Sequence, residues 1–348
     1  MHQTGHIVVT GGMGYIGSHT TVELLQKGYR VTILDNLSTS SVIALDGIEK
    51  ITGIRPEFRQ VELCDVAALK LEWEHLPQVD AVIHFAAKKA VGESVRNPLL
   101  YYSNNLVSLL NVLRMMQEHQ VPNIVFSSSC TVYGIPEMLP VTEASSANRA
   151  ESPYGRTKVI CEEMLRDAAA AGSASVLSLR YFNPIGAHSS GFIGELPPEE
   201  PENLLPYLTQ TADGTRPFLR IFGGDYPTND GTCVRDYIHV EDLAKAHVAG
   251  LHRLQSRDAS LGFEAINIGT GRGYSVLEVV AAFEKATGKK VNYQIVDRRP
   301  GDVPAIWADT SLASKKLNWK AELGLDEMLA SSWKWQQELT KLSVINGR

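Results

Sequence analysis

At 348 residues and 44% hydrophobic content, the chain is long enough to bury a large core, as one extended domain or two closely joined ones, which argues against disorder. Its formal charge of −6 carries no basic footprint and its Lys and Arg residues are scattered, which argues against nucleic acid as the main partner and for small molecules. Cys64, Cys130, Cys161 and Cys233 form no C-x-x-C pair, no signal-like segment opens the chain and no apolar run is long enough to span a bilayer, so the expectation is a soluble protein of the reducing cytoplasm, with no metal and no membrane partner.

HIVVT (6–10) and YRVTIL (29–34) are short β-branched runs on either side of a helical pattern, SHTTVELLQKG, which Gly28 ends as a C-cap; together they make a βαβ unit. The turn into that helix reads TGGMGYIG, with Gly11, Gly14 and Gly17 spaced by threes and Gly12 completing a G-x-G-x-x-G. Glycines let the backbone approach a pyrophosphate at a helix N-terminus, where free amides and the dipole favour anions. The string follows a strand, opens a helix and precedes Asp35 at the end of the next strand, the context that a dinucleotide-binding fingerprint requires. A carboxylate there accepts both ribose hydroxyls of NAD and repels the 2′-phosphate of NADP. Asn36 and Leu37 follow it with no arginine beside them, so NAD is expected. Asp65, after the strand-like FRQVELC, reads either as an adenine contact or as a helix N-cap.

DAVIHF (80–85), NIVFSS (123–128) and SVLSLRYF (175–182) alternate with helices near 98–118 and 153–170, the pattern of a parallel doubly wound sheet. The second helix opens on SPYGRTK, which puts Tyr154 and Lys158 four apart on one face, either as a solvated surface or as a pair serving one site. Beside a nicotinamide site, the lysine ammonium and the positive ring both stabilise a phenolate and lower the phenol from its ordinary value of about 10. Tyr154 then serves as acid and base. Ser129, closing the strand in SSSCTVYG, is placed to donate to the same substrate oxygen or to satisfy local backbone groups.

After Phe182 comes a Gly, Pro and Ser-rich connection, FNPIGAHSSGFIGELPPEEPENLLP, of the kind that carries function on a surface. A helix near 204–213, a strand near 218–222, helices near 240–254 and 275–287 and a terminal helix with Trp333 and Trp335 suit a smaller lobe. The expected division is residues 1–183 for the dinucleotide and 184–348 for the substrate, with some C-terminal segments returning to the first part.

TGGMGYIGSH, the strand-end serines, YGRTK and RYFN together resemble the extended short-chain dehydrogenase/reductase superfamily. DNLSTS, HFAAKKAVGESV, YYSNN, SSSCTVYG, RYFNPIGAH, FGGDYPTNDGTCVRDYIHV and NIGTG are similar, over nearly the whole chain, to the UDP-glucose 4-epimerase family within it. The resemblance implies a Rossmann-type NAD domain, a smaller α/β lobe for UDP-glucose and UDP-galactose, and an active site between them. By position it implies Tyr154 as base, Lys158 on the nicotinamide ribose, Ser129 at the sugar O4 and Asn104 on the catalytic helix. The implied cofactor shell is Gly11, Gly14, Tyr15, Ile16, Gly17, Asp35, Asn36, Asp65, Val66, Phe85, Ala86, Lys89, Asn104, Tyr154, Lys158 and Tyr181. The implied substrate shell adds Phe182, Asn183, Asn203, Leu204, Arg220, Phe222, Arg235, Tyr237, Arg299, Asp302 and Ile306 to Ser129 and Tyr154. Paired guanidinium groups suit a pyrophosphate, because Arg makes forked bonds to phosphate oxygens. A homodimer through helices 98–118 and 153–170 is also implied.

Two residues depart from the family pattern: Cys130 where alanine is usual, and Arg220 where a smaller residue is common near the uridine. A nucleotide-sugar 4,6-dehydratase, the nearest rival, needs an Asp-Glu pair where this chain has Cys130 and Thr131. A regulator without turnover has no need of Tyr154, Lys158 and Ser129 together. Ile306 in DVPAIWAD falls where the resemblance places the sugar 2-substituent; its size predicts a preference for unsubstituted hexoses with weaker activity on N-acetylated ones.

Overall fold

The computed structural model describes residues 5–147, 150–196, 201–256 and 262–345; most of the PPEEPE run, residues 197–200, lies outside them. β1 (His6–Thr10) is buried along its whole length, as a strand inside a parallel sheet with helices on both faces must be. α1 (Tyr15–Gln26) follows it and ends at Lys27, with Gly28 at φ 85° just past the cap, a left-handed turn that glycine adopts without strain. The alternation continues through β2 (Arg30–Asp35), α2 (Ile43–Thr52), β3 (Glu57–Gln60), α3 (Val66–Glu74), β4 (Ala81–His84), α4 (Val91–Arg96) and α5 (Pro98–Glu118). β5 (Asn123–Ser129) runs into a 3-10 turn, Cys130–Tyr133, then α6 (Pro153–Ala170) and β6 (Ser175–Tyr181).

The smaller lobe contains β7 (Asn183–Ile185), α7 (Leu204–Ala212), β8 (Leu219–Phe222) and β9 (Val234–His239). α8 (Val240–Gln255) and β10 (Phe263–Ile268) lead back to the large sheet. β11 (Gly273–Ser275), α9 (Val276–Thr287), β12 (Tyr293–Val296), β13 (Ala305–Ile306), α10 (Ser311–Leu317) and α11 (Leu325–Ile345) complete the chain.

Seven strands form one parallel sheet in the order β10-β6-β5-β4-β1-β2-β3, the Rossmann-type doubly wound arrangement. Period-two alternation divides the core between its faces. Ile7, Val9, Ile33 and Ile83 pack with Val22 of α1 and Leu243 of α8, while Val8, Leu34, Val82 and Ile124 pack with Leu109 of α5 and Leu165 of α6. A third cluster, with Leu205, Leu208, Tyr237, Val279, Phe283 and Met328, holds the smaller lobe together around β9, which pairs with β7, β11 and β13. Strand order reverses between β1 and β4, whose carboxyl ends meet at Thr10 and His84. Such a switch point opens a crevice for ligands. Among the described residues no helix is long and apolar enough to cross a membrane.

Candidate active site

A cavity of about 830 Å³ opens at this switch point, between the large sheet and the smaller lobe. Its floor is the glycine turn. Gly11 sits at φ 68°, and a Cβ there would lie 2.7 Å from the Ala86 amide nitrogen; a Cβ on Gly17 would lie 2.3 Å from the Gly11 carbonyl oxygen. Only glycine permits that approach. Gly14 offers no side-chain cap to α1, so the first-turn amides remain available to an anion. Asp35 closes β2 nearly buried, accepting from the Met13 amide (3.1 Å), the Leu37 amide (2.8 Å) and the Ser40 hydroxyl (2.8 Å). It thus fixes the glycine turn against the following loop and keeps one acceptor site, on Oδ2, for a ribose hydroxyl. A cradle that a Cβ would fill, next to a strand-end carboxylate, fits a dinucleotide.

Tyr15, Ile16, Asn36, Phe85, Ala86, Lys89, Asn104 and Tyr181 also line the cavity, as do Asn203 and Arg299 from the smaller lobe. Tyr154 and Lys158 project into it from α6 with exposures of 7% and 3%, so their spacing does not mark a solvated face. Pro153 begins α6 and the Ser152 hydroxyl caps it by accepting from the Gly155 amide, which fixes where the Tyr154 turn starts. The Lys158 ammonium donates to the Ser127 carbonyl (2.6 Å) and lies 4.9 Å from the Phe126 ring centre and 5.9 Å from that of Tyr154.

Electrostatics here differ from the sequence-based expectation. Burial pushes the Tyr154 phenol well above its ordinary value, with Tyr181 adding to the effect and the Ser129 hydroxyl opposing it. Burial also lowers Lys158 to about 8. In the protein alone, desolvation outweighs the lysine charge.

Ser129 does not line the cavity wall itself, but its hydroxyl lies beside the Tyr154 phenol; it also caps the 3-10 turn, accepting from the Thr131 amide (3.2 Å). Asp65 and Val66 also stand apart, Asp65 as the N-cap of α3 accepting from Ala67 and Ala68, and Val66 largely exposed. Arg235 and Arg299 converge on Asp302: Arg299 donates to both its oxygens (3.2 and 2.9 Å), and an Arg235 nitrogen lies 3.9 Å away. Phe222 lies beneath Arg220 and Arg299, with ring-centre distances of 5.9 and 5.4 Å. Asn183, outside the cavity wall, has a buried side-chain oxygen with no hydrogen-bond partner among the described residues. Tyr237 is its register partner on β9, and Leu204 opens α7 against the lobe's core. Phe182 and Ile306 are buried together with Cys130 and Ala308, outside the cavity wall.

Several residues of the wall, and one buried behind it, escaped the sequence reading. Asn105, next to the expected Asn104, accepts from the Lys88 amide (2.8 Å) and donates to the Lys88 carbonyl and the Thr157 hydroxyl (both 3.0 Å), pinning the 85–90 loop to α6. The doubled Asn in YYSNN was the available signal. Glu195 accepts from Lys89 and from Asn203 (both 2.9 Å), and its carbonyl takes the indole N–H of Trp335 (2.7 Å). Glu202 accepts from the Gly92 amide (3.2 Å) and Arg96 (3.0 Å). Nothing in the local pattern marks either glutamate, since each gains its partners through the fold.

Fold and site define a dinucleotide-binding enzyme of the extended short-chain type, and the chain belongs to the NAD dependent epimerase/dehydratase family, whose profile matches residues 7–269. It is 52% identical over 342 residues to the UDP-glucose 4-epimerase of Bacillus subtilis, covering 98% of each chain. With that of Drosophila melanogaster it shares 51% over 340 residues, covering 95% of this chain and 96% of the other. The crystal structure of UDP-glucose-4-epimerase from Stenotrophomonas maltophila, with bound NAD and formylated UDP-arabinopyranose, superposes with a TM-score of 0.92 at 47% identity, covering 97% of this chain and 99% of that one. The Bifidobacterium longum enzyme, in complex with NAD+ and UDP, gives 0.92 at 48% identity over 96% and 98% of the two chains.

Proposed function

We propose that this chain interconverts UDP-glucose and UDP-galactose with bound NAD, by transient oxidation at the sugar C4 through a 4-keto intermediate. The observation that carries the reading is the buried Tyr154 and Lys158 pair facing one cavity with the glycine cradle and Asp35. The cradle and α1 amides would hold the pyrophosphate, and Asp35 the adenosine ribose. When bound, NAD supplies a reversible hydride acceptor at C4 and a positive ring charge that favours the Tyr154 phenolate. Tyr154 takes the proton from the 4-hydroxyl as C4 is oxidised and returns it to O4 when C4 is reduced, the keto sugar having turned in between so that its opposite face is presented and the configuration inverts. Lys158, held by the Ser127 carbonyl, positions the nicotinamide ribose, and the Ser129 hydroxyl donates to O4. Arg235 and Arg299 hold the UDP phosphates, with Asp302 keeping both guanidinium groups oriented, and Asn183, Asn203, Leu204, Phe222 and Tyr237 complete the nucleotide side.

N-acetylated hexoses are expected as weaker substrates. The assembly is a homodimer: Leu100, Val107 and Leu110 give α5 an exposed apolar stripe at heptad spacing, suited to a second copy. Four free cysteines support a reducing compartment, the cytoplasm. The test is to incubate the purified protein with UDP-galactose, identify the sugar by NMR and extract the dinucleotide under denaturing conditions. UDP-glucose and NAD are the expected products of that experiment. No conversion, or recovery of mainly NADP, would overturn the proposal.

A further inference from the structure

Tyr154 and Lys158 do not end the polar face of α6. Glu162 stands one turn beyond Lys158 on the same side and is 4% exposed, where an unpaired carboxylate would carry a heavy desolvation cost. One of its oxygens accepts from the Ser128 hydroxyl (2.6 Å), the Ser178 hydroxyl (2.9 Å) and Arg180 Nε (2.9 Å); the other accepts from Arg180 Nη2 (2.6 Å). Arg180 also donates to the Tyr133 hydroxyl (3.1 Å), which donates to the Asn267 side-chain oxygen (2.6 Å). One carboxylate therefore ties α6 to β5, β6, the 3-10 turn and β10.

The anchor points interleave with the reacting groups. Ser128 lies between Ser127, whose carbonyl receives the Lys158 ammonium, and Ser129; its register partner Arg180 precedes Tyr181, whose hydroxyl is 2.6 Å from that of Ser127. A buried ion pair is weak evidence for stability, since apolar side chains of similar volume often serve as well. What this pair adds is directional registry and a negative charge one turn behind Lys158. Lys158 faces His84 from β4, the Phe126 ring from β5, and Tyr154, Cys161 and Glu162 on its own helix; Glu162 is the carboxylate among these groups. Burial opposes ionisation of Glu162, yet Arg180 and the two serines hold it below the ordinary carboxylate range.

The geometry points to Glu162 as a positioning residue that fixes the α6–β5 register through Ser128 and Arg180 and keeps Lys158 an ammonium. The inference rests on the reading of Tyr154 and Lys158 given above. Glu162→Gln keeps the shape but removes the charge. In the NAD-bound protein acting on UDP-galactose, kcat is expected to fall about tenfold or more with KM within about twofold, the pattern of a misplaced reacting group. The alkaline limb of kcat moves to lower pH, because the lysine loses its proton more readily without the carboxylate. Glu162→Asp restores that limb. Hydrogen exchange read by mass spectrometry rises in peptides covering 125–131 and 153–162. A folded Glu162→Gln protein with lower thermal stability but wild-type kcat, alkaline limb and exchange has lost a purely structural pair, which overturns the inference. If that variant does not fold, Ser128→Ala leaves the ion pair in place and is read the same way: lower kcat at constant KM with faster exchange at 153–162 upholds the inference, and wild-type values of both overturn it. Absence of turnover in the unaltered protein would instead defeat the proposed function, while the exchange pattern would still report on Glu162.

Discussion

In the proposed mechanism Tyr154 works under two opposing influences: burial that keeps it neutral in the protein alone, and positive charge that draws out its proton during the reaction. Tyr154→Phe is therefore expected to fold and to retain NAD while losing about 10²–10⁴-fold in kcat, measured by UDP-galactose conversion alongside circular dichroism. A folded variant with near-normal turnover would remove Tyr154 from the mechanism. The pairing with Lys158 was legible as spacing on a helix. Its electrostatic direction was not, because burial in the folded protein raises the phenol and the Coulombic influence of Tyr181 and Cys130, which arrive from other segments, adds to it. Ile306 makes the same point about distance: it packs with Cys130 and Phe182 outside the cavity wall, so any influence on the sugar is indirect. Ile306→Gly is expected to cost about 2–5 kcal/mol of stability and to narrow the preference for UDP-galactose over UDP-N-acetylgalactosamine, by up to about 10–200-fold in the ratio of kcat/KM. An unchanged ratio in the folded variant would leave Ile306 a packing residue alone.

Most strands of the large sheet, and α1, α5 and α6 beside it, were readable because they are periodic and punctuated; β10 was not, and α8, expected in the smaller lobe, packs on the large sheet with Leu243, Ala246 and Val248. The smaller lobe was less so: β7, β11 and β13 are two or three residues long, too short for any period to show, and their pairing to β9 comes from segments far apart in sequence. The glycine turn was the clearest element, and its geometry makes a sharp prediction. The Cβ of Gly17→Ala would meet a backbone oxygen at 2.3 Å, which cannot move without shifting Gly11 and the cradle. The variant should purify with little bound NAD, as judged by absorbance after extraction; full occupancy would show that the cradle is more pliant than this packing allows. Asp65, left open between two roles by its sequence, caps α3 in the structure. Asp65→Ala should therefore cost about 1 kcal/mol in urea unfolding with NAD content unchanged, whereas a drop in NAD content would restore the adenine contact.

For the molecule as a whole, acid is the expected point of weakness. Burial lowers His19 and His84 to about 3 and His247 to about 4. Above pH 6.5 these rings are neutral in both folded and unfolded chains, and their burial carries no proton penalty. As pH falls below 6.5 the unfolded chain takes up protons that the folded one refuses, so stability is lost progressively down to the folded values of about 3 to 4, by up to about 1.4 kcal/mol per pH unit for each ring. Glu23 and Asp236, whose carboxyls burial pushes up, offset part of this. Urea unfolding at pH 7.5, 6 and 5 should show a steady decline; a flat profile would mean that the rings find protons or water in the folded state.

β10 joins the large sheet beside β6 only after the chain has passed through much of the smaller lobe. On the ribosome, β6 must therefore wait with one edge open until residues 263–268 have emerged from the exit tunnel. A fully buried strand left with unpaired amides is an invitation to mispairing, so the nascent chain becomes a natural client for holding chaperones during that interval. A message truncated before that strand would yield an aggregate instead of a working half.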